Sequence, residues 1–244
     1  MLAMANFLVL FDIDGTLLFK QNVHADAFLY AFRTVYGVPD PVWRPHHGET
    51  DLLIIDIELG QLGFTQEEID ARLPECLDTM VKYMREHVHE DQGYMIDYVP
   101  EFLAAVRELG YFQGLVTGNL EDIAYVKMEH YGLVEFFEDH IGGFGNEHRD
   151  RAELIKIAIN KAQNLGFEYT DRNVVYIADT PLDVQAARGA GVASVITTTG
   201  IYKRDDFEDC SPDLILDDLS HQVEFFSFLD ELQENEGHFD SECG

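Results

Sequence analysis

Two carboxylates, Asp12 and Asp14, follow an apolar run at residues 7–11 and enter a turn at Gly15 and Thr16. Alternate residues of an extended segment point the same way, so both acids can address one small volume. Acids that close repel unless a cation sits between them or one keeps its proton. Such a pair suits a nucleophile, an acid/base partner and a divalent metal; an Asp-rich turn after an edge strand is the plainer alternative. Further on, Thr117, Gly118 and Asn119 follow the run FQGLV, and Asp179, with Asp183 one helical turn later, follows VVYIA. Arg149 and Arg151 open a helical pattern after IGGFG. Brought to one edge, these residues would supply carboxylates, a hydroxyl, backbone N–H groups and a guanidinium.

The elements that must carry them alternate in kind. Short apolar runs at 6–11, 112–116, 173–178, 192–196 and 213–216 are predicted buried strands. Helical patterns at 100–109 and 152–165 lie between the later ones, each stopping at a glycine. Strands separated by helices imply crossovers, hence an α/β fold with a doubly wound, mostly parallel sheet. Ligands of such sheets bind beyond the carboxyl ends of the strands, where every polar residue named above falls. Residues 19–92 show no strand pattern. Helices are expected at 23–36, 50–59 and 66–88, the last with a possible break at Pro74. The predicted organisation is a core of residues 1–18 and 93–238, an inserted all-helical domain at 19–92, and a disordered tail at 239–244.

A length of 244 residues and 46% apolar content fit one large domain with an insertion. No apolar run approaches the roughly 20 residues of a membrane span, and the N-terminus lacks a signal-peptide pattern, so a cytoplasmic protein with no membrane partner is expected. Cys76, Cys210 and Cys243 have no metal or disulfide spacing. A formal net charge of -30 argues against nucleic acid as a partner. It does not exclude a phosphorylated substrate, because surface charge is screened over about 8 Å at physiological salt. So acidic a composition also fits adaptation to high salt.

In order and spacing these segments resemble the four motifs of the haloacid dehalogenase-like (HAD) hydrolase superfamily over almost the whole chain, in the phosphoglycolate phosphatase-like branch with a helical cap. FDIDGTL is similar to the first motif, LVTGN to the second, IADTPLDVQAARGAG to the fourth, and SPDLILDDL to the closing strand. Two departures stand out: the third motif usually supplies a Lys where this chain has RDRAEL, and Ala178 stands where many members carry Gly. Arg151 has the best distance to the fourth motif, with Arg149 as the alternate.

The resemblance implies a Mg²⁺-dependent phosphatase of a small phosphorylated metabolite. Asp12 would be the nucleophile that forms an aspartyl-phosphate, and Asp14 the general acid and base. Asp12, the Asp14 carbonyl and Asp179 would hold the metal. Thr117, Gly118, Asn119 and Arg151 would bind the phosphoryl oxygens, and Asp183 would orient the third-motif cation or a metal-bound water. From the cap, Arg44, His46, His47, Glu49 and Thr50 are candidates for substrate contact, against the alternative of an exposed interhelical turn. A phosphomutase of the same fold is the closest rival reading. A haloacid dehalogenase is disfavoured by Asp14, and a phosphonatase lacks a recognisable cap Lys, with Lys20 and Lys82 the available ones. A non-catalytic binding protein would not need the three acids.

Overall fold

The computed structural model describes residues 7–137, 139–170 and 172–234; the expected tail at 239–244 and Cys243 lie outside these. Its elements run β1 (Leu8–Phe11), β2 (Leu18–Phe19), α1 (Val23–Val35), α2 (Asp51–Gln61), α3 (Gln66–His87), β3 (Tyr94–Met95), α4 (Val99–Glu108), β4 (Phe112–Thr117), α5 (Glu121–His130), β5 (Gly142–Phe144), α6 (Arg151–Asn164), β6 (Val174–Ala178), α7 (Pro181–Ala190), β7 (Ala193–Thr197), β8 (Leu214–Leu216) and α8 (Gln222–Glu234).

Six strands form one parallel sheet in the order β5-β4-β1-β6-β7-β8. The chain begins in the middle, builds outward through β4 and β5, then returns to the other side of β1 for β6, β7 and β8. That reversal opens a crevice at the carboxyl ends of β4, β1 and β6. Period-two alternation sends Phe7, Val9 and Phe11 to one face, against Phe102 and Val106 of α4 and Phe225 of α8. Leu8 and Leu10 face the other way, toward Ile155 of α6 and Val184 of α7. Helices on both faces explain why these strands read as continuous apolar runs. Phe11 is fully buried and meets Phe102 and Phe137 edge-on, at 6.1 and 6.2 Å between ring centroids; truncating it to Ala would cost about 3–5 kcal/mol.

Between β2 and β3 the chain builds α1, α2 and α3. Their apolar faces, including Phe28, Phe32, Met80 and Met84, form a cluster of their own that also takes in Leu120 and Ile123 of the core. The short antiparallel pairing Leu18↔Met95 and Phe19↔Tyr94, not anticipated from sequence, joins the two passages between sheet and insertion. Helix α3 continues unbroken through Pro74. Pro74 and Asp70 are both exposed, so water can take the carbonyl that proline leaves unpaired. The IGGFG segment becomes edge strand β5, where side chains at Gly143 would collide with the Leu154 backbone of α6.

Candidate active site

Parallel register explains why residues far apart in sequence meet. Phe11 is level with Leu115 of β4 and Ile177 of β6, so Asp12, Thr117 and Asp179 all emerge within a residue or two of the same edge. Asp12 N–H donates to the Ile177 carbonyl at 2.9 Å, fixing the turn to the neighbouring strand. Asp12, Asp179 and Asp183 are each buried, and one carboxylate oxygen from each lies within 4.8 Å of the others.

The three acids are not equivalent. Asp183 is saturated: Oδ1 accepts from Arg151 Nη1 (2.7 Å) and the Tyr176 hydroxyl (3.1 Å), and Oδ2 from the Thr180 N–H (3.1 Å) and hydroxyl (2.7 Å). By contrast, Oδ1 of Asp12 and Oδ1 of Asp179 are buried with no hydrogen-bond partner. Apart from the Arg151 Nη1 contact with Asp12 Oδ1 at 3.3 Å, nothing among the described residues offsets the cost of burying these acceptors without hydrogen bonds, and a hard cation with oxygen ligands would satisfy both. Burial is the largest influence on Asp12; Arg151 opposes it, Asp183 and Asp14 reinforce it, and the carboxyl is pushed up to about 7. Burial and the negative charge of Asp12 and Asp183 push Asp179 well above the usual carboxylate range. The site thus favours positive charge, and its acids could hold a divalent ion. Gly15 follows with φ +96°, and a Cβ there would collide with the Asp179 carboxylate, so the loop after β1 is glycine by necessity.

Arg151, expected as the third-motif cation, lies beside the acids. Its Nη1 reaches Asp183, the Tyr176 hydroxyl (2.9 Å) and Asp12 (3.3 Å), while its Nε is buried without a hydrogen-bond partner. Arg149, the alternate, is half exposed and pairs with Asp56 of α2 through Nε at 2.5 Å; it lies off the central cavity. Thr117 Oγ1 accepts from the Asn119 side chain (2.6 Å) and N–H (3.3 Å), so its own proton is left to donate outward.

Asn119 departs from the phosphate-binding role expected of it. Its Nδ2 donates to Asp14 Oδ2 (2.7 Å) as well as Thr117, and its Oδ1 accepts from Lys127 (2.9 Å). An amide so engaged braces its neighbours and has no donor left for a phosphoryl group.

Lys127, on α5, was not singled out from sequence. Its side chain is 2% exposed and its ammonium touches both Asp14 oxygens, at 2.7 and 2.9 Å. Burial raises the Asp14 carboxyl; Lys127, then His24 and Asn119, more than offset this and hold it below the usual carboxylate range. The Asp14 side chain nonetheless keeps 41% of its exposure, because it faces a cavity. A charged residue amid Ile123, Ala124 and Met128 on one helix was the only sequence signal, and charges on helices are usually solvated.

That cavity, about 440 Å³, lies between sheet edge and insertion. Asp12, Asp14, Thr117, Gly118, Asn119, Arg151 and Asp179 line it from the core; His46, His47 and Glu49 line it from the insertion. Arg44 and Thr50, also expected to contact substrate, do not. Arg44 is half exposed and faces Glu58 at 3.6 Å. Thr50 is buried as the N-cap of α2, accepting from the Leu53 N–H and donating to the Arg149 carbonyl.

The sheet order, with acids gathered at the switch point, defines a doubly wound α/β fold with a polar site at the carboxyl ends of its strands. The chain belongs to the haloacid dehalogenase-like hydrolase family, whose sequence profile matches residues 9–197. It is 26% identical over 216 residues to the pyrophosphatase PpaX of Halalkalibacterium halodurans, covering 85% of this chain and 91% of that protein. It is likewise 26% identical to the phosphoglycolate phosphatase of Vibrio cholerae, over 89% of this chain and 95% of the relative. In fold it resembles the crystal structure of a hydrolase from Pseudomonas syringae, with a TM-score of 0.66 at 20% identity, covering 93% of this chain and 99% of the other. Among the described residues no helix is long and apolar enough to cross a membrane.

Proposed function

We propose that this protein is a Mg²⁺-dependent phosphatase of a small phosphorylated metabolite, with residues 19–92 as a cap over the site. The observation that carries this reading is the pair of buried oxygens on Asp12 and Asp179 that accept no hydrogen bond, facing a cavity that also holds the Thr117 hydroxyl and Arg151. Phosphatase names among the relatives point the same way.

Asp12 and Asp179, with the Asp14 backbone carbonyl, would hold the ion. Bound there, Mg²⁺ supplies counter-charge for the approach of Asp12 to a phosphate dianion, since like charges 4 Å apart repel by about 4 kcal/mol at an effective dielectric of 20. An Asp12 oxygen attacks phosphorus, forming the aspartyl-phosphate while the ester P–O bond breaks. Asp14 gives its proton to the departing alkoxide. It then takes one from the water that attacks the same phosphorus, releasing phosphate and restoring Asp12. An entering dianion raises the proton affinity of Asp14 against the pull of Lys127, so one carboxyl serves as acid first and base second. Thr117 and Arg151 donate to the equatorial oxygens as charge builds on them, and Asp183 and Tyr176 keep the guanidinium in place.

The test is hydrolysis of p-nitrophenyl phosphate with and without Mg²⁺. Asp12→Asn should reduce turnover by at least about 10³-fold while leaving the melting temperature near that of the parent. Undiminished turnover in that variant removes the nucleophile assignment, and full activity in excess chelator removes the metal.

A further inference from the structure

We propose that the leaving group received by this site is an uncharged, ring-bearing alcohol seated against Trp43, which the buried Phe28 ring backs, rather than a short carboxylic acid or a second phosphate. The inference rests on the phosphatase reading and concerns the opposite end of the same cavity.

A volume of about 440 Å³ falls in the range of roughly 300–1,000 Å³ typical of clefts that bury sizeable organic ligands. A phosphoryl group at the acids leaves most of it to be filled. One part of the remaining wall is apolar, lined by Phe19, Phe28, Trp43, Pro45 and Ile54. The Phe28 and Trp43 rings lie 5.2 Å apart at 36°, and His46 meets Trp43 edge-on at 5.5 Å and 66°. A flat ring can be held against such faces by offset or edge contacts.

The charges on the wall disfavour the alternatives. Lys127 is committed to Asp14 and Arg151 to Asp12 and Asp183. Lys20 and His47, the remaining lining residues able to carry positive charge among the described residues, are both exposed, the Lys20 ammonium lying 5.8 Å from the Phe19 ring centroid and His47 meeting only the Tyr202 ring, at 6.4 Å. His24 is engaged with Asp51 at 3.2 Å and Lys127 at 3.4 Å, and His46 with Glu58 at 3.0 Å. Glu49 and Asp51 line the insertion side as acids. A carboxylate or phosphate leaving group would therefore meet like charge with no uncommitted buried cation to answer it. Two polar atoms on this part of the wall lack a hydrogen-bond partner: Gln21 Nε2, able to donate to a ring oxygen or nitrogen, and Glu49 Oε2, able to accept from a hydroxyl or ring N–H.

Trp43 is the single tryptophan of the chain, so it reports on its own site. With Mg²⁺ present, kcat/KM is compared for benzyl phosphate, uridine 5′-monophosphate, ethyl phosphate, 2-phosphoglycolate and inorganic pyrophosphate. At least one ring-bearing ester should exceed 2-phosphoglycolate and pyrophosphate by about tenfold or more, and which one leads separates an aromatic alcohol from a nucleoside. Trp43→Ala should raise KM for that ester about tenfold with little change for ethyl phosphate, and Trp43→Phe should restore it. In parallel, Trp43 emission of the Asp12→Asn variant should be saturably quenched by the ring ester and unmoved by 2-phosphoglycolate.

Equal or faster turnover of 2-phosphoglycolate or pyrophosphate overturns the proposal and leaves the phosphatase reading intact. So does a Trp43→Ala defect common to all substrates. Saturable quenching by a ring ester with no hydrolysis of any monoester by the parent enzyme keeps the subsite and removes the phosphatase. Neither turnover nor quenching removes both.

Discussion

Lys127 Nζ stands 2.7 Å from Asp14 Oδ1, joining a helix of the core to the second acid of the β1 turn across 113 positions of sequence. Asn119 completes the bracket by bonding both partners. The carboxylate assigned to proton transfer is thus held in one orientation by an ammonium and an amide, while its exposed side looks into the cavity.

Lys127→Met should therefore disturb chemistry more than stability. Removing one member of a fully buried pair costs about 3–5 kcal/mol, but the cavity-facing Asp14 can be rehydrated, so the loss should fall below that range. The kcat for an alkyl phosphate should drop by about 10- to 100-fold, as expected when a proton-transfer group is misplaced. Unchanged kcat with a lowered melting temperature would reduce Lys127 to a structural ion pair.

Metal binding should be linked to pH. The Asp12 carboxyl rises from 3.8 to about 7 on folding, mainly through burial, and Asp179 is raised as well. Between those values the folded metal-free chain holds protons that the unfolded chain releases, so their contribution to stability is present at low pH and is lost as pH climbs toward 7. Mg²⁺ competes with those protons. The Mg²⁺-induced rise in melting temperature should be larger at pH 7.5 than at pH 5.5, and an equal rise at both would contradict the assignment of these two acids to the ion.

Gly15→Ala should damage the site from the backbone side. The position has φ +96°, and the added methyl would strike the Asp179 carboxylate. A non-glycine residue held in such a conformation costs about 1–3 kcal/mol. Displacement of Asp179 should also weaken the thermal shift given by Mg²⁺. Retention of both parental stability and the parental Mg²⁺ shift would show that the loop yields freely.

Salt should stabilise the chain over an unusual range. With a net charge of -30, self-repulsion is relieved as the Debye length shortens from about 10 Å at 0.1 M to about 3 Å at 1 M. Melting temperatures in NaCl should rise monotonically into the molar range, and indifference to salt would show that the acids are too dispersed to matter.

The parallel sheet and the convergence of Asp12, Thr117 and Asp179 were legible in the sequence because each residue directly follows its own apolar run. In a parallel sheet, the end of a strand is also an address in space. The three insertion helices were legible for the same local reason, written in three- and four-residue apolar spacing. Other features depended on packing between distant segments. Arg149 and Arg151 are two positions apart on one helix start, yet one turns out to Asp56 and the other in to Asp183; only the docking of α6 against β5 and α7 separates them. Asn119 read as a phosphate ligand until Lys127 and Asp14 were seen to consume its amide. Lys127 carried no signal in the sequence beyond its apolar neighbours on one helix. Periodicity and turn chemistry record what a residue does with its near neighbours, whereas the partner of a buried charge is set by which helix the fold lays beside it.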